Sequence, residues 1–240
     1  MIFVSSWDDG HPLDEKLGEL LSKYSLRGTF FVPIRNREGL PVMSRPTLLR
    51  LSQGHEIGSH TLDHLYLRNQ PAETVRAQIV GGKHALEDML GARVPGFCYP
   101  GGRYDASSVR AVKDAGFEYA RSVENLTVDW PQDRFRVATT LQFFPNPRKS
   151  LARNFLKYPH RARKLSLFLR LLTGDTLAER LRLALRHARS SGGVLHIWGH
   201  SWEIDRYGLW GELESFFREV AVLGPRTCGV HELISARERV

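Results

Sequence analysis

Cysteine is almost missing from this chain: Cys98 and Cys228 are its two cysteines in 240 residues. That excludes a disulfide framework and leaves two buried thiols as the expectation. Long apolar runs are missing as well, and no window approaches the roughly 18 continuous apolar residues of a membrane span. The opening MIFVSSWDDG has neither a basic leader nor an apolar run long enough for a signal peptide. A cytoplasmic location is therefore expected. No internal repeat or low-complexity segment interrupts the chain.

Acidic residues are in the minority, 26 Asp and Glu against 34 Lys and Arg, for a formal net charge of +8. The surplus is local. Residues 146–190 hold 12 Lys and Arg against two acids, Asp175 and Glu179, so this segment carries +10 and the remainder −2. Such a patch suits an anionic membrane surface, a phosphorylated or lipid-linked glycan, or nucleic acid, and equally a merely solvated helical face. The run lacks an aromatic-interleaved binding motif, so no nucleic-acid partner is expected. Its LSLFLRLL stretch offers apolar area either to the inner face of a membrane or to a packed helical insert.

A length of 240 residues at 42% hydrophobic is enough for one well-buried core. Apolar β-prone runs at 2–5, 28–33, 56–59, 96–99, 118–123, 193–198 and 227–230 alternate with helix-period runs. The helical runs are 13–24, 45–53, 72–90, 106–115, 176–190 and 209–222. Gly91, Gly116 and Gly224 stand where helices should stop, and Thr176 with Glu179 forms a capping-box pattern. Repeated β-then-α order implies a parallel α/β sheet, open or closed into a barrel. Pro145, Pro147 and Pro159 break up the start of the basic region. Residues 146–190 thus read as a mainly helical insertion within a single domain spanning 1–240.

In such folds the carboxyl ends of the strands carry the chemistry. Four polar clusters fall there. SSWDDGHP puts Asp8 and Asp9 after the first run, and GHEIGSHTLDH puts His60 and His64 after another. GFCYPGGRYD follows the run at 96–99, and VLHIWGHSWE brings His200 to the end of a late strand. The HTLDH spacing, on a helix or a tight turn, aims two imidazoles at one point. With an acid from a neighbouring strand end, two histidines and one carboxylate make an open, catalytic metal site. Zinc suits this donor set first, with cobalt, nickel or manganese as alternatives. One carboxylate of the Asp8–Asp9 pair can then be the third ligand while the other accepts a proton from water. Spacing leaves open which does which.

In this order SWDDG, HTLDH, FCYPGGRYD and LHIWGH resemble the successive motifs of the polysaccharide deacetylases, carbohydrate esterase family four, over roughly residues 3–202. The resemblance implies a distorted (β/α)7 barrel and metal-dependent removal of acyl groups, N-acetyl above all, from amino sugars. By position, Asp8 resembles the general base, Asp9, His60 and His64 the metal ligands, and His200 the general acid. His196 is the rival for that last role, since 196, 198 and 200 share one strand face. Pro100–Gly101 resembles the turn whose backbone N–H helps bind an oxyanion.

The family's third motif often begins with an arginine that pairs with the catalytic Asp, and here Cys98 stands in that place. Arg121, on the following strand, is the candidate replacement. It is also grouped with Pro100, Gly101, Trp198 and Trp202 on the substrate side, the two tryptophans as walls for a sugar ring. Asp105 is expected to cap a helix. The loop at 124–133, with Asp129–Trp130, matches the fourth motif loosely. The expected function is carbohydrate N-deacetylation on a polysaccharide or glycan. Two alternatives stand beside it: a deacylase of lipid-linked or phosphorylated sugars, and an inactive sugar-binding barrel.

Overall fold

A computed structural model describes residues 1–158 and 160–237. Pro159 and residues 238–240, parts of the readings above, lie outside the described residues. Strand β1 (Ile2–Asp8) is central, flanked in parallel by β2 (Thr29–Val32) and β7 (Val194–Gly199). From β2 the sheet continues to β3 (Glu56–Ser59), β4 (Gly96–Cys98) and β5 (Tyr119–Arg121). Beyond β7 lies β6 (Leu141–Gln142), and the two-residue β8 (Arg226–Thr227) extends one edge of β1. Every strand pairing is parallel. β2 is TFFV and wholly buried, as expected of a parallel strand covered on both faces.

Strand alternation divides two cores. Phe3, Trp7, Phe30, Phe97, Leu195 and Ile197 face the helical layer. Val4, Phe31, Cys98, Tyr119 and Val194 face inward, where Val230, Leu233 and Ile234 plug the lower end. The barrel closes imperfectly. Among the described residues β5 and β6 form no strand pair; instead residues 134–143 bond to both sides. Val137 N–H donates to Ala120 C=O (2.9 Å) and Thr140 N–H to His196 C=O (2.8 Å). This is the distorted (β/α)7 barrel in a single α/β domain.

The helices are α1 (Asp14–Lys23), α2 (Arg45–Ser52), α3 (Ala72–Leu90), α4 (Ala106–Asp114), α5 (Arg148–Lys157), α6 (Arg161–Leu172), α7 (Leu177–Ser191), α8 (Ser201–Arg206), α9 (Trp210–Val222) and α10 (Val230–Arg237). Thr176 and Glu179 form the capping box of α7, and Asp105 caps α4 by accepting from Ser108 N–H (2.9 Å). The strand expected at 227–230 is corrected: pairing stops at Thr227 and Val230 starts α10, whose apolar face the barrel bottom buries. Within the basic segment, Phe155 of α5 stacks on Phe168 of α6 (4.3 Å), while Leu167 and Leu171 enter the core and Leu165 and Leu169 stay exposed. Among the described residues no helix is long and apolar enough to cross a membrane.

Candidate active site

The chain leaves β1 through two consecutive left-handed residues, Asp9 (φ 77°) and Gly10 (φ 59°). This turn splays the adjacent carboxylates. Asp8 continues the inward face of β1 and is ion-paired with Arg121; Asp9 swings toward the histidines. The next loop is also left-handed, at Thr61 (φ 69°) and His64 (φ 55°), so HTLDH forms a constrained turn and not a helix. Non-glycine residues in this region cost of order 1–3 kcal/mol each and persist where surroundings over-determine them. Here α3 does so: Leu62 N–H donates to Gln78 C=O (2.9 Å), and the Gln78 amide bonds both the backbone and the side chain of Asp63.

His60 Nδ1 donates to the Cys98 carbonyl (2.9 Å), which leaves Nε2 as the free lone pair, 3.7 Å from Asp9 Oδ1. His64 Nε2 lies 3.2 Å from the same oxygen. That oxygen is buried and without a hydrogen-bond partner, whereas Asp9 Oδ2 accepts from Trp202 Nε1 (2.9 Å). The three donor atoms lie within 4.8 Å of one another. Burial works to raise the Asp9 carboxyl, but the close approach of His64 and the charges of His200 and His60 hold it well below the usual carboxylate range. Burial pushes His60 down to about 4, so its imidazole is neutral, as a ligand must be. An orphaned buried oxygen facing two imidazoles fits a divalent cation. Asp8, His60 and Cys98 are as close together, yet burial pushes the Cys98 thiol far up and Arg121 already holds Asp8. The first trio is the better metal site.

Arg121 resolves the missing arginine. Cys98 and Arg121 are register partners on β4 and β5, so moving the cation one strand over still delivers it to Asp8. Its guanidinium also lies over the rings of Phe31 (5.2 Å) and Trp198 (5.0 Å). Arg121 is fully buried and does not line the groove; Pro100 is likewise buried beneath the turn that exposes Gly101.

His200, ending β7, donates from Nδ1 to Glu203 Oε2 (2.6 Å) and keeps Nε2 near Asp9 (3.9 Å). Burial opposes its charge, but Glu203 and Asp9 together push its pKa up to about 9. His196 bonds Ser6 Oγ (2.9 Å), and burial with the Arg121 charge lowers it to about 3. It is a neutral residue of the barrel interior. Glu203 was missed from sequence, although HSWE offered the signal of a carboxylate three residues after the histidine at a helix start.

These groups floor a groove of about 590 Å³. Trp198, Trp202, Tyr66, Gly101 and Asn125 wall it, and α5 supplies the far rim with Ser150, Arg153, Asn154 and Lys157. Trp198 Nε1 donates to Asn125 Oδ1 (2.9 Å).

Residues 2–120 match the protein family described as polysaccharide deacetylase. A peptidoglycan-N-acetylglucosamine deacetylase from Bacillus cereus is 31% identical over 121 residues, 49% of this chain and 54% of that protein. A chitooligosaccharide deacetylase from Azorhizobium caulinodans is 33% identical over 117 residues, 48% of this chain and 54% of that protein. The chain spans about half the length of these curated relatives. A family 4 acetyl xylan esterase from Clostridium thermocellum, solved with a cobalt ion, shares the fold: TM-score 0.61, 14% identity, 99% of this chain and 92% of that one. By the match over residues 2–120, the chain belongs to the polysaccharide deacetylase family.

Proposed function

We propose that the chain is a divalent-metal-dependent hydrolase that removes an N-acyl group, N-acetyl first, from an amino sugar in a glycan. The observation that carries this is the buried, unpartnered Asp9 oxygen shared by His60 and His64, with Asp8 and His200 beside it. Asp9, His60 and His64 would hold the cation, zinc first. When bound, it supplies a Lewis acid that polarises an acyl oxygen and acidifies water.

The side chains do the rest. Asp8 accepts the proton of the attacking water, and Arg121 keeps this buried carboxylate oriented and neutralised. His200, cationic at neutral pH, gives its proton to the departing amine nitrogen, with Glu203 fixing which ring nitrogen faces the groove. Gly101 leaves the groove wall without a Cβ, and Trp198 and Trp202 offer flat apolar faces to a sugar ring. The inactive-barrel reading rested on Cys98 replacing an arginine, and the Asp8–Arg121 pair removes that motive.

Release of primary amine from N-acetylated chitooligosaccharides tests the reading. Activity is expected to vanish with chelator, return with a divalent ion, and fall by about 10²–10⁴ in His200→Ala. Activity indifferent to chelation and to Asp8→Asn would overturn it.

A further inference from the structure

On α5, Arg153 and Lys157 are four residues apart and therefore share one face, and both line the groove that holds Asp9 and His200. Two more cations stand behind them. Leu67 N–H and Arg68 N–H both donate to the Arg103 carbonyl (3.1 and 3.0 Å), which ties the two loops together. The Arg103 guanidinium lies over the Tyr66 ring (4.8 Å), itself a groove residue. Burial, and then the charges of Arg68, Arg153 and Arg103, depress Lys157 below the ordinary lysine value.

Three other cations of the same segment are neutralised: Arg148 pairs with Asp175, Lys164 with Glu124 and Arg182 with Glu219. By contrast, none of Arg68, Arg103, Arg153 and Lys157 forms an ion pair with another described residue. Glu38, an acid that also lines the groove, faces His64 Nδ1 (3.5 Å) on the ligand side. Two unneutralised cations line this rim and two more lie near enough to act on Lys157, a repulsive arrangement that an anion relieves. A neutral glycan would not.

We infer that Arg153 and Lys157, backed by Arg68 and Arg103, form a phosphate subsite, so that the amino sugar acted on carries a phosphate ester or diester. This rests on the hydrolase reading and deepens it to a substrate class. Phosphate is favoured over a uronic-acid carboxylate because it carries more charge and more acceptor oxygens, which suits a guanidinium and an ammonium on one helix face backed by two further arginines. Ser150 and Asn154, on the same rim, add neutral donors.

The test has two arms. For the metal-loaded enzyme, kcat/KM is measured on N-acetylglucosamine 1-phosphate and on neutral diacetylchitobiose. The ratio is expected to favour the phosphate and to fall about tenfold for each cation removed in Arg153→Gln, Lys157→Gln and the double variant. Lys157→Arg should retain the preference. In the second arm, calorimetry follows N-acetylglucosamine 1-phosphate binding to metal-free full-length protein. Binding should be saturable, survive Asp9→Asn and be lost in the double variant. Loss of all hydrolysis with binding intact sinks the hydrolase reading alone. Binding that is equal in wild type and double variant, or preference for a uronic-acid substrate, overturns the subsite. A diphosphate-linked N-acetylglucosamine on a long-chain lipid, in detergent, distinguishes a lipid-linked from a soluble sugar phosphate. Tighter binding of the lipid form would assign that source, since Leu156, Leu165 and Leu169 are exposed on the same hairpin.

Discussion

Asp8 and Asp9 are neighbours in sequence, yet the left-handed turn at Asp9 sends them to different partners. Each like charge is thereby matched separately, one by Arg121 and one by the histidine side of the groove. Arg121→Gln leaves the Asp8 carboxylate buried without its cation, a change that costs about 3–5 kcal/mol in comparable pairs. Urea unfolding should show that loss, together with reduced turnover. In the proposed reaction His200 works in its protonated form, so activity is expected to fall as pH rises through its pKa. The value of about 9 reflects Glu203 and Asp9 acting against burial. A cation bound at Asp9 cancels part of that attraction, so the alkaline limb is expected below 9. Glu203→Gln removes more of it and should move the limb to still lower pH with a reduced kcat.

At the scale of elements, the histidine loop is held by a close approach that only glycine permits. A Cβ at Gly82 on α3 would meet the Thr61 carbonyl carbon at 2.6 Å and Leu62 N at 2.8 Å, both backbone atoms. Gly82→Ala must therefore push away the loop carrying His60 and His64. The expected outcome is a stability loss of about 1–3 kcal/mol and weaker binding of a divalent ion, read by calorimetry. Helices and strands of this barrel were largely legible in sequence, because their apolar periods and glycine stops are local. The exceptions share one cause. β6 has two residues and exists only because β7 bonds it, and α10 begins where a β-prone run had been expected. Both owe their state to burial by distant segments.

Across the whole molecule, a ligand that binds only the folded state stabilises it by mass action. A divalent ion at a hundredfold excess over its Kd contributes about 2.7 kcal/mol, or roughly 5–10 °C in Tm for a domain of this size. That rise should be absent in His60→Gln. Acid sensitivity follows from His196, held down at about 3 by burial and by Arg121. An unfolded histidine takes up its proton near 6.5, so the unfolded chain binds more protons between these values. Stability therefore falls as pH drops from about 6.5 toward 3. His196→Gln should lose less stability than wild type between pH 7 and 5 in urea unfolding.

Residue type and order by themselves determined the α/β class and put Asp8, Asp9, His60 and His200 at strand ends, since local periodicity and parallel strand order suffice for that. Only the tertiary structure decided which aspartate meets the histidines, which arginine neutralises the other, and that α5 supplies the basic rim of the groove. Asp8 and Arg121 are 113 residues apart. Their meeting depends on inter-strand register and on one left-handed backbone turn, neither of which any local pattern encodes.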